Sequence, residues 1–386
     1  MQMNNYLNFK IVGSGPTGLL LAISLSKLNF NIYLTDTLTR EKLINKDKTY
    51  AITHSTRKIL SKFNLWDKLS SYLYKFDSLS ISDSVISKFT ILTTPDLDKD
   101  ISSLDTIGWV IKHSELMNVF FDEIDKVDNI SFKSSLDLSY EKINFDYKFI
   151  STGANSNYKK NHNFLSFKKS YNQSCLTFEV LVRGNVQKRA YEIFRKEGPL
   201  ALLPLDYNRY QIIWTSSTSK SVDRLNSNKS FLLDNLSTIL PECFKLDQIN
   251  SEINLFPVSL SLSLPIFNFN KEVLVGDSFH TFHPVGGQGL NTCWRDVNVI
   301  YDMFNKHLST TNNALNIFKY KYYFKRSLDI FSIIIITDTL IKLFANNNII
   351  LLPFRKISFL LLNKSHLIRK FVLNKMTKSL IFSSIK

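Results

Sequence analysis

FKIVGSGPTGLLLAISLSKLNFNIYLTD, residues Phe9–Asp36, decides the fold. A short apolar run, Phe9–Val12, leads into Gly13-Ser14-Gly15-Pro16-Thr17-Gly18. LLLAISLSKL then follows with helical spacing, and a second β-like run, Asn31–Thr35, ends on Asp36. A G-x-G-x-x-G alone is a weak sign. Set between strand and helix, with an acid about 20 residues on, it marks a dinucleotide-binding βαβ unit. Gly13 permits the tight turn and Gly15 lets a pyrophosphate reach the backbone. Gly18 lets helix and strand pack closely, and Asp36 suits the ribose hydroxyls of an adenosine half.

Far along the chain, Val273–Val297 reads VLVGDSFHTFHPVGGQGLNTCWRDV. A β-branched run ends at Gly276-Asp277, and His283-Pro284 precedes the cluster Gly286-Gly287-Gln288-Gly289. A helix is expected from about Leu290. Taken alone, this is also how a glycine-rich turn before a helix looks. Beside the N-terminal unit, Asp277 suits a polyol, and the Gly286–Gly289 backbone suits close approach to a flat ring. N–H groups around Leu290 and Asn291 suit a negative charge at a helix start. The first motif fits the ADP half of a long dinucleotide and the second fits the polyol and redox ring. FAD is the ligand that needs both.

Together these segments resemble the FAD-dependent aromatic hydroxylases, in particular the ubiquinone-biosynthesis branch (UbiH/UbiF type). The resemblance runs through Gly13–Gly18, Tyr50–Trp66 (YAITHSTRKILSKFNLW) and Gly108–Leu116 (GWVIKHSEL). It continues through Lys188–Leu205 (KRAYEIFRKEGPLALLPL), Gln211–Thr215 (QIIWT), Val275–Asp296, Thr337-Asp338 and Met376. EGPLALLPL followed by QIIWT carries the assignment to the ubiquinone branch.

The resemblance implies an α/β fold: a Rossmann-like FAD-binding domain of the glutathione-reductase-like, aromatic hydroxylase type. It also implies an inserted, mainly antiparallel β-sheet substrate domain and a helical C-terminal region. The cofactor set is FAD, with Gly13, Gly15, Gly18, Asp36, Lys48, Gly276, Asp277, Pro284, Gly286, Gly287, Gln288, Gly289, Leu290 and Asn291 around it. NADH or NADPH is the implied reductant. The implied reaction is hydroxylation of the aromatic ring of a polyprenylated phenol by O2, through a flavin hydroperoxide. His283 and Pro284 are the residues of the flavin-side loop assigned to catalysis, His283 as the one that orients the loop. The resemblance also admits peripheral contact with the inner face of the cytoplasmic membrane and a place in a ubiquinone-biosynthesis complex.

Several positions depart from the family pattern. Thr152-Gly153-Ala154-Asn155-Ser156 stands where the family has Asp-Gly followed by Ala-Arg-Ser. Ser114 stands at a usual Arg, and Lys48 replaces an Arg, keeping the charge but losing the bidentate fork. Ser278-Phe279 replaces two alanines. Two alternative readings follow: a flavin-binding, catalytically weak member of a biosynthetic assembly, or another FAD enzyme of the same fold, such as a prenyl reductase.

Composition suits a folded chain. The 386 residues are 44% hydrophobic and 21% charged, with a formal charge of +15. Such a charge attracts anionic lipid or nucleic acid, and the Lys-, Asn-, Ile- and Phe-rich composition of an AT-rich genome explains it equally. No nucleic-acid-binding motif is visible. Cys175, Cys243 and Cys293 stand singly, giving no disulfide framework and no metal pattern; a reducing cytoplasm is the expected compartment. His280 and His283 lack further ligands nearby, so no metal is expected. Arg295 and Asp296 are read as a helix ion pair.

Residues 1–75, 101–165 and 266–320 are expected to form a discontinuous cofactor domain. Residues 76–100 and 166–265 read as the substrate domain, and 321–386 as a helical region. The tail Ile349–Met376 mixes apolar residues with Arg355, Lys356, Lys364, Arg369, Lys370 and Lys375. It suits either a helix packed on the core with a solvated basic face or one lying on a membrane surface.

Overall fold

The computed structural model describes residues 7–134, 143–154, 164–183, 188–242, 244–263, 272–306, 312–346 and 348–378. Its N-terminal sheet contains β1 (Asn8–Val12), β2 (Asn31–Asp36), β8 (Ile130–Ser134), β9 (Tyr147–Ile150) and β16 (Glu272–Leu274). The strand order is β16-β9-β1-β2-β8, and every pairing is parallel. Parallel strands are covered on both faces and read as near-continuous apolar runs. Phe9, Ile11, Leu34, Phe149 and Val273 are accordingly buried. The first helix (Pro16–Ser26) follows β1, with Pro16 in its first turn, where a missing N–H costs nothing.

A small antiparallel sheet joins β3 (Thr49–Ile52), β7 (Gly108–Lys112) and β4 (Tyr74–Phe76). The large sheet has nine described strands. They are β5 (Ser78–Asp83), β6 (Lys88–Thr93), β10 (Ser166–Arg183), β11 (Arg189–Phe194), β12 (Leu200–Pro204), β13 (Arg209–Ser217), β14 (Lys245–Ile249), β15 (Asn254–Ser263) and β17 (His280–Thr281). Their pairings are antiparallel except β11 with β5. Its far face packs Leu176, Tyr191, Ile193, Leu202 and Trp214 against Leu232 and Leu236 of the helix Lys229–Ser237.

The fold is therefore mixed α/β, with the expected parallel sheet, large mainly antiparallel sheet and helical C-terminus. The helix Gly289–Lys306 packs beside the first helix, with Trp294 Nε1 donating to Pro16 O at 3.2 Å. A long helix, Asn312–Phe344, runs across position 320 and lays Tyr322, Tyr323, Arg326 and Ile330 on the core. The tail helices are Leu352–Lys364 and His366–Lys378.

The structure corrects the Arg295–Asp296 pairing. Arg295 reaches across to Asp329 at 3.0 Å, whereas Asp296 takes Arg326 Nε at 2.6 Å. Neighbouring positions on a helix point about 100° apart, so partners on another helix win. Phe279 packs edge-on against Tyr323 of the long helix.

Candidate functional site

The motifs converge because the parallel sheet collects them. β1 ends at Gly13, β2 at Asp36, β9 before Ser151 and β16 before Gly276. All four loops leave the carboxyl edge of one sheet, where ligands of open α/β folds bind.

At the first loop, Gly13 has φ +104°, and a Cβ there would lie 2.5 Å from Ser151 O. A Cβ on Gly18 would lie 1.9 Å from Gly13 O. At both positions a Cβ would meet backbone, so glycine lets the segments approach this closely. A Cβ on Gly15 would meet nothing within 4 Å, so its bare backbone opens outward at the helix start. Asp36 accepts from Ser14 N at 2.6 Å and Leu38 N at 2.9 Å, which fixes the carboxylate beside that opening.

The second loop touches the first. A Cβ on Gly276 (φ +62°) would stand 3.0 Å from Thr17 Cγ2. Asp277 is exposed, with Cys293 Sγ donating to its Oδ1 at 3.3 Å. The Lys48 ammonium stands over the Phe256 ring at 5.1 Å; burial lowers its pKa, and the Asp277 charge opposes the shift. Pro284, Gly287 and Gly289 are exposed along the second loop, and Cβ atoms on Gly286 or Gly289 would meet open space. Gly286 and Gly287 have φ of +74° and +61°, the left-handed region that favours glycine.

The Asn291 side chain braces this loop. Its Oδ1 accepts from Thr53 N at 3.1 Å and Thr56 Oγ1 at 2.7 Å, and its Nδ2 donates to Ala51 O at 2.8 Å and Gly287 O at 2.9 Å. The Leu290 and Asn291 backbone lies in the first turn of the helix Gly289–Lys306, where N–H groups lack intrahelical partners. Gln288 Nε2 donates to Gly286 O and to Met376 O, tying the C-terminal helix to the loop.

His283 is buried, and burial pushes its pKa down to about 4, so it is neutral near pH 7. Its Nδ1 accepts from Val285 N at 3.2 Å, which leaves Nε2–H to donate to Gln173 Oε1 at 3.2 Å. Both nitrogens hold the loop in place. His280 does not join it in a metal cluster: its Nε2 bonds Asp296 at 2.9 Å, and the described residues contain no metal-ligating group of His, Cys, Asp and Glu.

Behind the loop lies a fully buried ionic network. Asp296 Oδ2 accepts from Gly276 N at 2.9 Å, and its Oδ1 from Arg326. Arg326 also bonds Asp329, which holds Arg295. Burial pushes the Asp296 carboxyl up, but His280 and Arg326 outweigh it and hold it at about 2. Arg326 and Asp329 were not legible as site residues, since they sit in an apolar helix far along the chain. Glu192 was missed too: it is the one acid in AYEIF on β11, and it faces the loop at Gly286. A carboxylate in an otherwise apolar strand was the available signal.

Of the altered Thr152–Ser156 stretch, Asn155 and Ser156 lie outside the described residues. Gly153 N donates to Ser278 Oγ at 3.1 Å, so Ser278 fastens this stretch to the Gly276-Asp277 turn. Cys243 also lies outside the described residues, while Cys175 and Cys293 are free and buried.

Comparison with known proteins places this arrangement. The squalene epoxidase family pattern matches residues 235–373. The ubiquinone biosynthesis monooxygenase COQ6 of Dictyostelium discoideum is 22% identical, over 93% of this chain and 89% of that protein. The ubiquinone hydroxylase UbiM of Neisseria meningitidis is 21% identical, over 75% and 66%. The 3-demethoxyubiquinol 3-hydroxylase of Escherichia coli is 28% identical over 39% of this chain and 38% of its own. Among solved structures, p-nitrophenol 4-monooxygenase PnpA of Pseudomonas putida superposes with a TM-score of 0.74 at 14% identity, covering 97% of this chain and 98% of that one. HpxO of Klebsiella pneumoniae, solved with FAD and uric acid, gives 0.73 at 12% identity, covering 98% of both chains. The chain is thus a relative of the ubiquinone hydroxylases, as the sequence resemblance implies, and it has the fold of these monooxygenases.

Proposed function

We propose that this chain is an FAD-dependent monooxygenase that hydroxylates the aromatic ring of a polyprenylated phenol in ubiquinone biosynthesis. One observation carries the reading: two glycine-bared loops and two carboxylates, Asp36 and Asp277, meet at one sheet edge beneath the near face of the large sheet. The residues present fit FAD. Bare backbone at Gly15, Gly286 and Gly289 leaves open space where side chains would intrude, and Asp277 is exposed for a polyol.

In this reading Asp36 holds the adenosine ribose, and Gly15 with the first helix holds the pyrophosphate. Asp277 holds the ribitol, and Pro284 with Gly286–Gly289 lines the ring. The helix start at Leu290 and Asn291 stabilises negative charge at the pyrimidine end. Lys48 adds a cation near Asp277. When bound, FAD supplies the electron transfer and oxygen activation that side chains cannot provide. The large sheet excludes water from the ring. NADH or NADPH is the reductant, reaching the flavin without the acid and arginine that Thr152 and Asn155 replace.

The long helix supports a membrane contact. Its outer face exposes Tyr320, Phe324, Leu328, Phe331 and Ile335, while its inner face is buried. A run of large apolar side chains exposed along one helix face marks an interaction surface. Ile349, Ile350, Phe354 and Ile357 extend the exposed surface, beside exposed Lys321, Lys356 and Lys364. Arg355 is instead buried near Asp83, and Arg369 pairs with Asp96. Among the described residues no helix is long and apolar enough to cross a membrane, so the contact is peripheral, with anionic lipid facing the lysines.

The test is an anaerobic titration of the purified protein with NADH or NADPH. Bleaching of the oxidised-flavin band is expected. A bound flavin that stays yellow favours the catalytically weak reading, and a protein that refuses added FAD overturns the assignment.

A further inference from the structure

The near face of the large sheet is unlike its far face. Thr177, Ile81, Ala201, Leu203 and Ile213 are half-buried, whereas the alternate residues behind them are buried. Glu192 lies among them: β11 pairs it with Ile81 on one side and Ala201 on the other. Tyr191 and Ile193 point away, into the far-side core. Phe194, on the same face as Glu192, belongs to one buried apolar cluster with Val285 of the flavin-side loop. The Glu192 carboxylate lies near the Gly286 backbone N–H, which favours its charged form. One acid thus stands in an apolar floor, against the loop that lines the ring.

Resting on the proposed hydroxylation, we propose that Glu192 is the base that takes the phenolic proton of the aromatic substrate. The substrate O–H bond breaks and a carboxyl O–H forms. The freed electron pair moves into the ring and raises the electron density at the carbon that receives oxygen. The proton then leaves to water as product departs, so the step consumes nothing else.

The electrostatics suit that role. Burial pushes the Glu192 carboxyl up to about 7, and the Gly286 N–H opposes the shift. No charged side chain among the described residues contributes to it. The titratable neighbour is the Cys175 thiol, which burial, joined by the Glu192 charge, pushes up to about 12. A base whose pKa lies near the operating pH transfers protons most effectively.

Glu192→Gln is the decisive variant, since the amide keeps the size and polarity of the side chain but cannot take a proton. FAD content is expected to be unchanged. In the wild-type protein kcat/KM for a short-chain prenyl phenol should rise with pH through about 7. In the variant that limb should vanish and the plateau should fall on the order of a hundredfold. A ring-fluorinated phenol already ionised at the assay pH should restore most of the loss, which a merely structural residue could not produce. It should also abolish the limb in the wild-type protein, a result that needs no variant to fold.

An unchanged plateau and limb in Glu192→Gln, with the wild-type protein active, would overturn the role of Glu192 alone. A wild-type protein that binds FAD but hydroxylates no phenol would overturn the parent reading and this one with it.

Discussion

The two nucleotide loops meet at one sheet edge, yet they are held in different ways. The Gly13–Gly18 loop is fixed mainly by neighbouring strands of its own parallel sheet: its glycines fit against Ser151 O and Gly13 O, Ser151 Oγ donates to Gly13 O, and Asp36 bonds a backbone N–H within it. The Gly276–Asn291 loop is fixed from a distance. Asp296 grips Gly276 N, Arg326 and Asp329 grip Asp296 and Arg295, Asn291 reaches Ala51 and Thr53, and Gln173 holds His283. In the proposed reading the adenosine end needs only the edge of one sheet, whereas the ring end has to be positioned against a second sheet, so its supports come from several elements.

The largest effect expected from a single substitution is at the remote brace. Arg326→Ala leaves Asp296 and Asp329 buried with a lost partner and should cost about 3–5 kcal/mol. Urea unfolding measures it, and a cost below about 1 kcal/mol would show the network to be unimportant.

Acid should loosen the protein next. Burial pushes His54, His113 and His283 down to about 4 from the usual 6.5. Below 6.5 the unfolded chain binds protons that the folded chain refuses. Stability is therefore full above 6.5 and falls as pH drops toward 4, by ~1.4 kcal/mol per histidine per pH unit. Melting temperature against pH should show this slope, and His283→Gln should reduce it. A flat profile between pH 6.5 and 4 would contradict the buried neutral histidines.

The local loop allows a sharper separation. Gly18→Ala should destabilise the fold by about 1–3 kcal/mol, because its Cβ meets backbone. Gly15→Ala should melt like the wild-type protein but bind FAD at least tenfold more weakly, about 1.4 kcal/mol. Equal behaviour of the two variants would erase the distinction between a packing glycine and a ligand-facing one.

Asp277→Ala should be the mildest for folding, since Asp277 is exposed, and its effect should appear as a roughly tenfold loss of FAD affinity. For the tail, Phe324→Ser with Ile335→Ser should reduce flotation with anionic vesicles and leave the melting temperature nearly unchanged. Equal flotation of this double variant and the wild-type protein would remove the membrane contact.

The same contrast explains what the sequence made legible. Gly13, Gly15, Gly18 and Asp36 lie within one βαβ unit, so spacing alone brings them together. Gly276, Asp277 and Gly286–Gly289 were also visible, because glycine and a strand-end acid mark the chain locally. The brace was not. Arg326 and Asp329 are ordinary residues of a helix until the fold carries them to Asp296, and adjacency suggested an Arg295–Asp296 pair that the helix geometry does not make. The tail sequence mixed apolar and basic residues. Its burial could not be read until the structure committed Arg355 and Arg369 to Asp83 and Asp96 and left the outer face of the long helix bare.

The central claim is oxygen insertion into a phenolic ring. Its most direct test is the mass of the product formed by the FAD-loaded protein from a short-chain prenyl phenol, NADH or NADPH, and isotopically heavy O2. The expected product carries one added oxygen atom bearing the heavy label. Complete consumption of the reductant with release of hydrogen peroxide and an unaltered phenol would contradict it.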